Sequence, residues 1–128
     1  MKHISVIRRN SGGVADELVI EGSEATYKVI SELFIRYVLC DGITPVERQD
    51  GSQVDMNSLL PSGFFVIELN RDEEKVIGYT LRGGGFGHGA GMSQNGAKNM
   101  AECGYTATQI LEFFFTGTEV RKAGEDGL

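Results

Sequence analysis

No run of basic residues and no long apolar stretch occurs in these 128 residues. Without clustered Lys and Arg, and with a formal charge of −6, the chain is a poor match for a phosphate backbone, so nucleic acid is excluded as a partner. The opening Met1-Lys2-His3-Ile4-Ser5-Val6-Ile7 turns polar at Arg8, too soon for a signal-peptide core or a membrane span. Any membrane attachment is therefore expected through an anchor outside these residues. Cysteine occurs only as Cys40 and Cys103, too few for a disulfide scaffold, and both are expected to be free and buried. His3, Cys40, His88 and Cys103 lack the close paired spacing of a zinc site, so no metal and no cofactor are expected. Proline is equally scarce, at two residues, against eighteen glycines, and seven of those glycines fall between Gly83 and Gly96.

What remains is an ordinary globular composition, 41% hydrophobic and 23% charged, at a length that suits one domain over residues 1–128. His3 to Arg9 and Glu17 to Glu21 read as a hairpin around the turn Asn10-Ser11-Gly12-Gly13, and Ala25 to Ile30 as a third strand. Ser31 reads as the N-cap of a two-turn helix over 32–39 whose apolar face is Leu33, Phe34, Tyr37 and Val38. Residues 41–62 hold both prolines and no sustained period, which predicts a long irregular connection. A hairpin follows, Gly63–Glu68 and Lys75–Leu81 about the charged tip Arg71–Glu74, leading straight to Gly83. Helices are expected over Ser93–Cys103, ended by Gly104, and over Thr106–Phe115, capped by Thr106, with a last strand at Thr118–Lys122 and a frayed tail from Ala123. The fold class is α+β, short antiparallel hairpins with two or three short helices packed on them.

The segment Gly83-Gly84-Gly85-Phe86-Gly87-His88-Gly89-Ala90-Gly91-Met92-Ser93-Gln94-Asn95-Gly96-Ala97 joins strand to helix. Glycine at alternate positions removes the Cβ wall, so a stiff ligand can approach the main chain, with His88, Ser93 and Gln94 as the polar contacts. A tight turn with close strand packing is the plainer explanation of such glycines. A phosphate loop needs Lys followed by Ser or Thr, and the chain has Gly96-Ala97-Lys98-Asn99; a dinucleotide fingerprint lacks its third glycine at His88. The candidate binding residues are Phe86, Gly87, His88, Gly89, Gly91, Ser93 and Gln94. Phe113, Phe114 and Phe115 read as core filling.

These fifteen positions, followed by Met100-Ala101-Glu102 and Ile110-Leu111, resemble the C-terminal motif of the stage II sporulation protein D (SpoIID/LytB) family. Ile35-Arg36-Tyr37-Val38-Leu39 and Leu60-Pro61-Ser62-x-Phe64 resemble further parts of it. The resemblance implies a lytic transglycosylase acting on peptide-free glycan strands of peptidoglycan in sporulation or septal wall processing, in an extracytoplasmic setting. The family's catalytic glutamate lies in a Glu-Met-Pro-like motif that nothing here matches, so no catalytic residue is assigned and the chain reads as the C-terminal portion of a larger domain. The other possibility is a non-catalytic cell-wall glycan-binding or interaction module. Glu68 and Glu102 are expected to be solvated or salt-bridged surface groups. The 41–62 loop, the glycine segment and the helix start after it are expected to border one groove.

Overall fold

Alternating small apolar and polar residues make the first three strands, β1 (His3–Arg9), β2 (Ala15–Glu21) and β3 (Thr26–Ile30), an antiparallel sheet in the order β1-β2-β3. The remaining elements are helix α1 (Glu32–Leu39), the two-residue strands β4 (Val46–Glu47) and β5 (Gln53–Val54), the hairpin β6 (Phe65–Asp72) and β7 (Lys75–Gly83), and helices α2 (Gln94–Glu102) and α3 (Ala107–Phe114). The computed structural model describes residues 2–56 and 58–122; the predicted frayed tail from Ala123 lies outside them. Among the described residues no helix is long and apolar enough to cross a membrane. The α+β class with small antiparallel sheets is as the sequence indicates. The chain divides into two compact units, Met1–Gly89 and Ala90–Leu128.

In the first unit Ile4, Ala15, Leu18, Ile35, Leu39 and Phe65 form the buried core, one or two from each of β1, β2, α1 and β6. In β6 the alternation is strict through its first five residues, with Phe65, Ile67 and Leu69 turned inward and Val66 and Glu68 outward. Across the solvent side of the first sheet Arg8 pairs with Asp16 at 2.7 Å and Glu17 at 2.8 Å, and Lys28 also pairs with Glu17. The Lys28 hydrogen bond, aided by the charges of both cations, holds the Glu17 carboxyl below its ordinary range.

Helix α1 starts after Ser31 as predicted, but the Ser31 side chain makes no capping bond, and its φ is 91°. The face that packs is also not the predicted one. Ile35, Arg36 and Leu39 are buried, whereas Leu33, Phe34, Tyr37 and Val38 are exposed. The reason is that Arg36 lays its stem against the core and spends its head group on neighbouring carbonyls, which places Ile35 and Leu39 beneath the helix.

The 41–62 connection is less irregular than predicted, since β4 and β5 pair as Val46 with Val54 and Glu47 with Gln53. Asp41 shapes its start: one carboxylate oxygen accepts from the Ile43 and Thr44 amides at 2.9 Å and the other from the Thr44 hydroxyl at 2.6 Å. These bonds, the Thr44 hydroxyl first, lower its pKa to about 2.

The second unit is a helical hairpin. Ser93 caps α2 by accepting from the Gly96 amide at 3.1 Å, and Thr106 and Gln109 form a reciprocal capping box on α3. Gly96 lies under Phe114, where a Cβ would come within 2.9 Å of the ring. Only Ile110 is buried among the described residues of this unit. Phe113 is 65% exposed and Phe115 is exposed too, so core filling holds for Phe114 alone, half-buried and edge-on to Phe113 at 5.1 Å. Residues 118–122 form no strand; instead Thr118 bonds back to the Phe115 carbonyl and the Val120 amide to Glu112. Both cysteines are free, yet Cys103 is exposed and Cys40 only half-buried, because each sits at a helix C-cap and not on a packed face.

Candidate functional site

The end of β7 delivers Gly83 against the start of β6, and here glycine is obligatory for packing: a Cβ would run into the Phe64 carbonyl oxygen and the Phe65 Cα. One residue on, the situation reverses, and a Cβ at Gly84 would meet nothing within 4 Å. Among the described residues, the segment 84–87 is held by the strip Pro61–Phe64. The Ser62 hydroxyl donates to the Gly84 carbonyl at 2.5 Å while accepting from the Phe64 amide at 3.1 Å. The Gly84 amide donates to the Phe64 carbonyl at 3.0 Å and the Gly87 amide to the Pro61 carbonyl at 2.9 Å. At Gly87 φ is 118° with open space where a side chain would be, a backbone state that L residues rarely adopt.

Against this fixed main chain lies a hollow of about 370 Å³ whose walls are Gly12, Val14, Ser62 and Phe64 on one part and residues 84–87 with Gly89 on the other. Of the predicted binding residues, Phe86, Gly87 and Gly89 line it, and the Phe86 ring is 89% exposed. His88, between two lining glycines, is exposed and does not line the hollow itself. Gly89 is explained by packing, since a Cβ there would sit 2.6 Å from the Val14 side chain. The glycines thus divide between the two explanations open in the sequence: Gly83 and Gly89 solve packing, Gly84 and Gly87 leave the backbone bare.

Gly91, Ser93 and Gln94 belong to the second unit. There Gly91 faces the Phe115 ring, the Ser93 hydroxyl is engaged as the α2 cap, and Gln94 is exposed on the first turn. Among the described residues of the 41–62 loop, only the last, Ser62, lines the hollow.

The carboxylates considered in the sequence are paired at the surface. Glu68 accepts from Arg82 Nε at 2.9 Å across the β6-β7 hairpin, and Glu102 lies 3.7 Å from Lys98 one turn back on α2. The Glu68 hydrogen bond and charge push the Arg82 guanidinium above its ordinary value.

With this geometry in hand, curated proteins supply the relationship. The chain is 46% identical over 107 residues to stage II sporulation protein D of Bacillus subtilis (strain 168), a match covering 81% of this chain and 29% of that protein. The chain belongs to the stage II sporulation protein D (SpoIID/LytB) family. It is also 46% identical over 52 residues to the amidase enhancer of Bacillus subtilis (strain 168), covering 41% of this chain and 7% of that protein. With stage II sporulation protein D of Bacillus amyloliquefaciens the identity is 46% over 44 residues, 34% of this chain and 13% of that one. The chain spans less than a third of the length of these relatives. No family model matches it, and no solved structure does.

Sequence reading missed the supporting side of this candidate site. Arg36 donates to the Leu60 carbonyl at 2.8 Å, to the Pro61 carbonyl at 3.2 Å and to Glu32 at 2.8 Å, so α1 fixes the strip that fixes the glycine segment. The signal was present in the two outlying motif stretches, Ile35–Leu39 and Leu60–Phe64, which meet here. Gly12 and Val14, from the first hairpin, carried no signal at all.

Proposed function

We propose that this SpoIID/LytB chain binds the glycan strands of peptidoglycan, as the saccharide-holding wall of a lytic-transglycosylase domain that remodels the cell wall in sporulation. The observation that carries the reading is the bare main chain at Gly84 and Gly87 beside the 370 Å³ hollow, with the exposed Phe86 among the residues that line it. Sugars suit such a surface: backbone carbonyls and amides exchange hydrogen bonds with hydroxyls, and an exposed ring stacks on a pyranose face. His88 is assigned to a sugar hydroxyl through a ring nitrogen.

A lytic transglycosylase needs one carboxylic acid. It protonates the glycosidic oxygen as that bond breaks, then takes the proton of the muramic acid 6-hydroxyl as the oxygen closes on the anomeric carbon. Among the described residues no carboxylate lines the hollow, and Glu68 and Glu102 face Arg82 and Lys98. This favours a binding role for these 128 residues, in a longer enzyme or in a non-catalytic glycan-binding module. The chain is expected to release no 1,6-anhydro ends from peptide-free strands.

Gly84→Ala gives the cleanest test, because the added methyl meets no protein atom and projects where the sugar is placed. Titration of a peptide-free oligosaccharide by isothermal calorimetry is expected to show about fivefold weaker binding for Gly84→Ala, a loss of ~1 kcal/mol, with the thermal midpoint unchanged. His88→Ala is likewise expected to weaken binding more than folding. Wild-type affinity in Gly84→Ala, or no saccharide binding by the wild type, refutes the reading.

A further inference from the structure

Helix α1 is apolar on both of its sides. The inner side, with Ile35 and Leu39, closes the core of the first unit. The outer side carries Leu33, Phe34, Tyr37 and Val38, between 43% and 60% exposed, with no charged residue among them. The two charged residues of the helix, Glu32 and Arg36, pair with each other, and Arg36 also holds the Leu60 and Pro61 carbonyls. A surface helix turns polar groups to water, whereas one that is apolar all round belongs in an interior. Helix α2 follows the surface pattern, with Lys98 and Glu102 outward.

Area and relationship together select what covers this face. Its four side chains leave about 400 Å² of mostly apolar surface uncovered. Packed on its own copy across a two-fold axis, such a face buries about 800 Å² in total, short of the ~1,000 Å² that a stable interface between separate chains needs. A segment of the same polypeptide meets no such threshold, because its tether holds it at an effective concentration of order millimolar. The relatives carry polypeptide of this kind. More than two thirds of the Bacillus subtilis sporulation protein lies outside its match to this chain, and a match covering 81% of these 128 residues includes α1 wherever it starts.

We infer that the outer face of α1 is a docking face for a further segment of SpoIID/LytB polypeptide, tethered in the same chain and presenting uncharged aliphatic or aromatic side chains. This docking does not depend on glycan binding. It does bear on the hollow, because Arg36 grips the strip whose Pro61 carbonyl and Ser62 hydroxyl hold Gly87 and Gly84. An occupant that clamps α1 therefore steadies the glycine shelf as well.

One substitution in two settings tests this: Phe34→Glu in the 128-residue chain, and Phe34→Glu in the Bacillus subtilis protein with its matched region exchanged for this chain. The chain by itself is expected to sediment as a monomer at ~100 μM and to bind a hydrophobic dye. There Phe34→Glu is expected to reduce the dye fluorescence about twofold and to move the thermal midpoint by under ~3 °C. In the exchanged protein the same change is expected to lower the midpoint by about 8 °C or more, since an unpaired carboxylate then enters an apolar seam. Ile77→Glu, at an exposed position of β7, is expected to be mild in both settings. Should the exchanged protein not fold, glutamate at the position matched to Phe34 in the unaltered Bacillus subtilis protein gives the same readout, with the same large loss expected. A mild effect of the glutamate in the longer protein overturns the inference. So does a dimer of the 128-residue chain that Phe34→Glu dissociates, which would assign the face to a second copy.

Discussion

Arg36 is the one charged residue buried among the described residues, and beside its pairing with Glu32 its side-chain bonds to two carbonyls bear on the hollow without touching it. Its head group grips the Leu60 and Pro61 carbonyls; the Pro61 carbonyl also accepts the Gly87 amide, and the next residue supplies the hydroxyl that holds Gly84. Truncation leaves those carbonyls and Glu32 without their donor inside the protein, at a cost of about 2–4 kcal/mol. Arg36→Ala is thus expected to lower the urea midpoint correspondingly and to shift the backbone amide resonances of Gly84 and Gly87. A loss under ~0.5 kcal/mol, the size of an ordinary surface change, or unmoved glycine amides, would contradict this chain of bonds. At this scale the sequence was only half legible. It singled out the glycine cluster, but it did not separate Gly83, which must clear β6, from Gly84, which clears nothing, because the atoms that decide come from Ser62, Phe64 and Phe65, far off in sequence.

At the scale of elements, short strands and helix caps were readable because their causes are local: a turn cluster between β-branched runs, Thr106 three residues ahead of Gln109, glycine after a helix end. The orientation of α1 was not. Its eight residues carry apolar groups nearly all round, so periodicity offers Leu33, Phe34, Tyr37 and Val38 as readily as Ile35 and Leu39, and tertiary bonds of Arg36 choose between them. The consequence is measurable. Ile35 has no exposed surface, so Ile35→Ala is expected to cost about 2–5 kcal/mol, whereas Phe34→Ser, at a position 60% exposed, is expected to cost under ~1 kcal/mol. Chemical denaturation of the pair settles which face packs, and a reversal of the order would return the helix to the orientation its apolar spacing suggests. The missing strand at Thr118–Lys122 has a similar origin: the segment has strand-like composition, but its bonds run back to Phe115 and Glu112 instead of to another strand.

At the scale of the molecule, the two units differ in what holds them. The first shares its core among two sheets and α1, with Ala15, Leu18 and Ile35 fully enclosed. The second has a single buried residue, Ile110, among those described, and relies on the Ser93 cap, the Thr106 and Gln109 box and the seat of Phe114 on Gly96. Ordering a residue costs about 1–2 kcal/mol of backbone entropy, and capping bonds contribute ~1 kcal/mol each, so helices with so little buried area open locally at lower free energy than a central strand. Amides of β2, flanked by strands on both sides, are therefore expected to exchange slowest, and those of α2 and α3 at least about tenfold faster, a gap of ~1.4 kcal/mol in opening free energy. Hydrogen exchange followed by mass spectrometry reads this from peptides covering 15–21 and 94–114. Equal protection of the two would mean that the helical hairpin opens only when the sheet does, and that the helices following Ser93 are as rigid as the central strand.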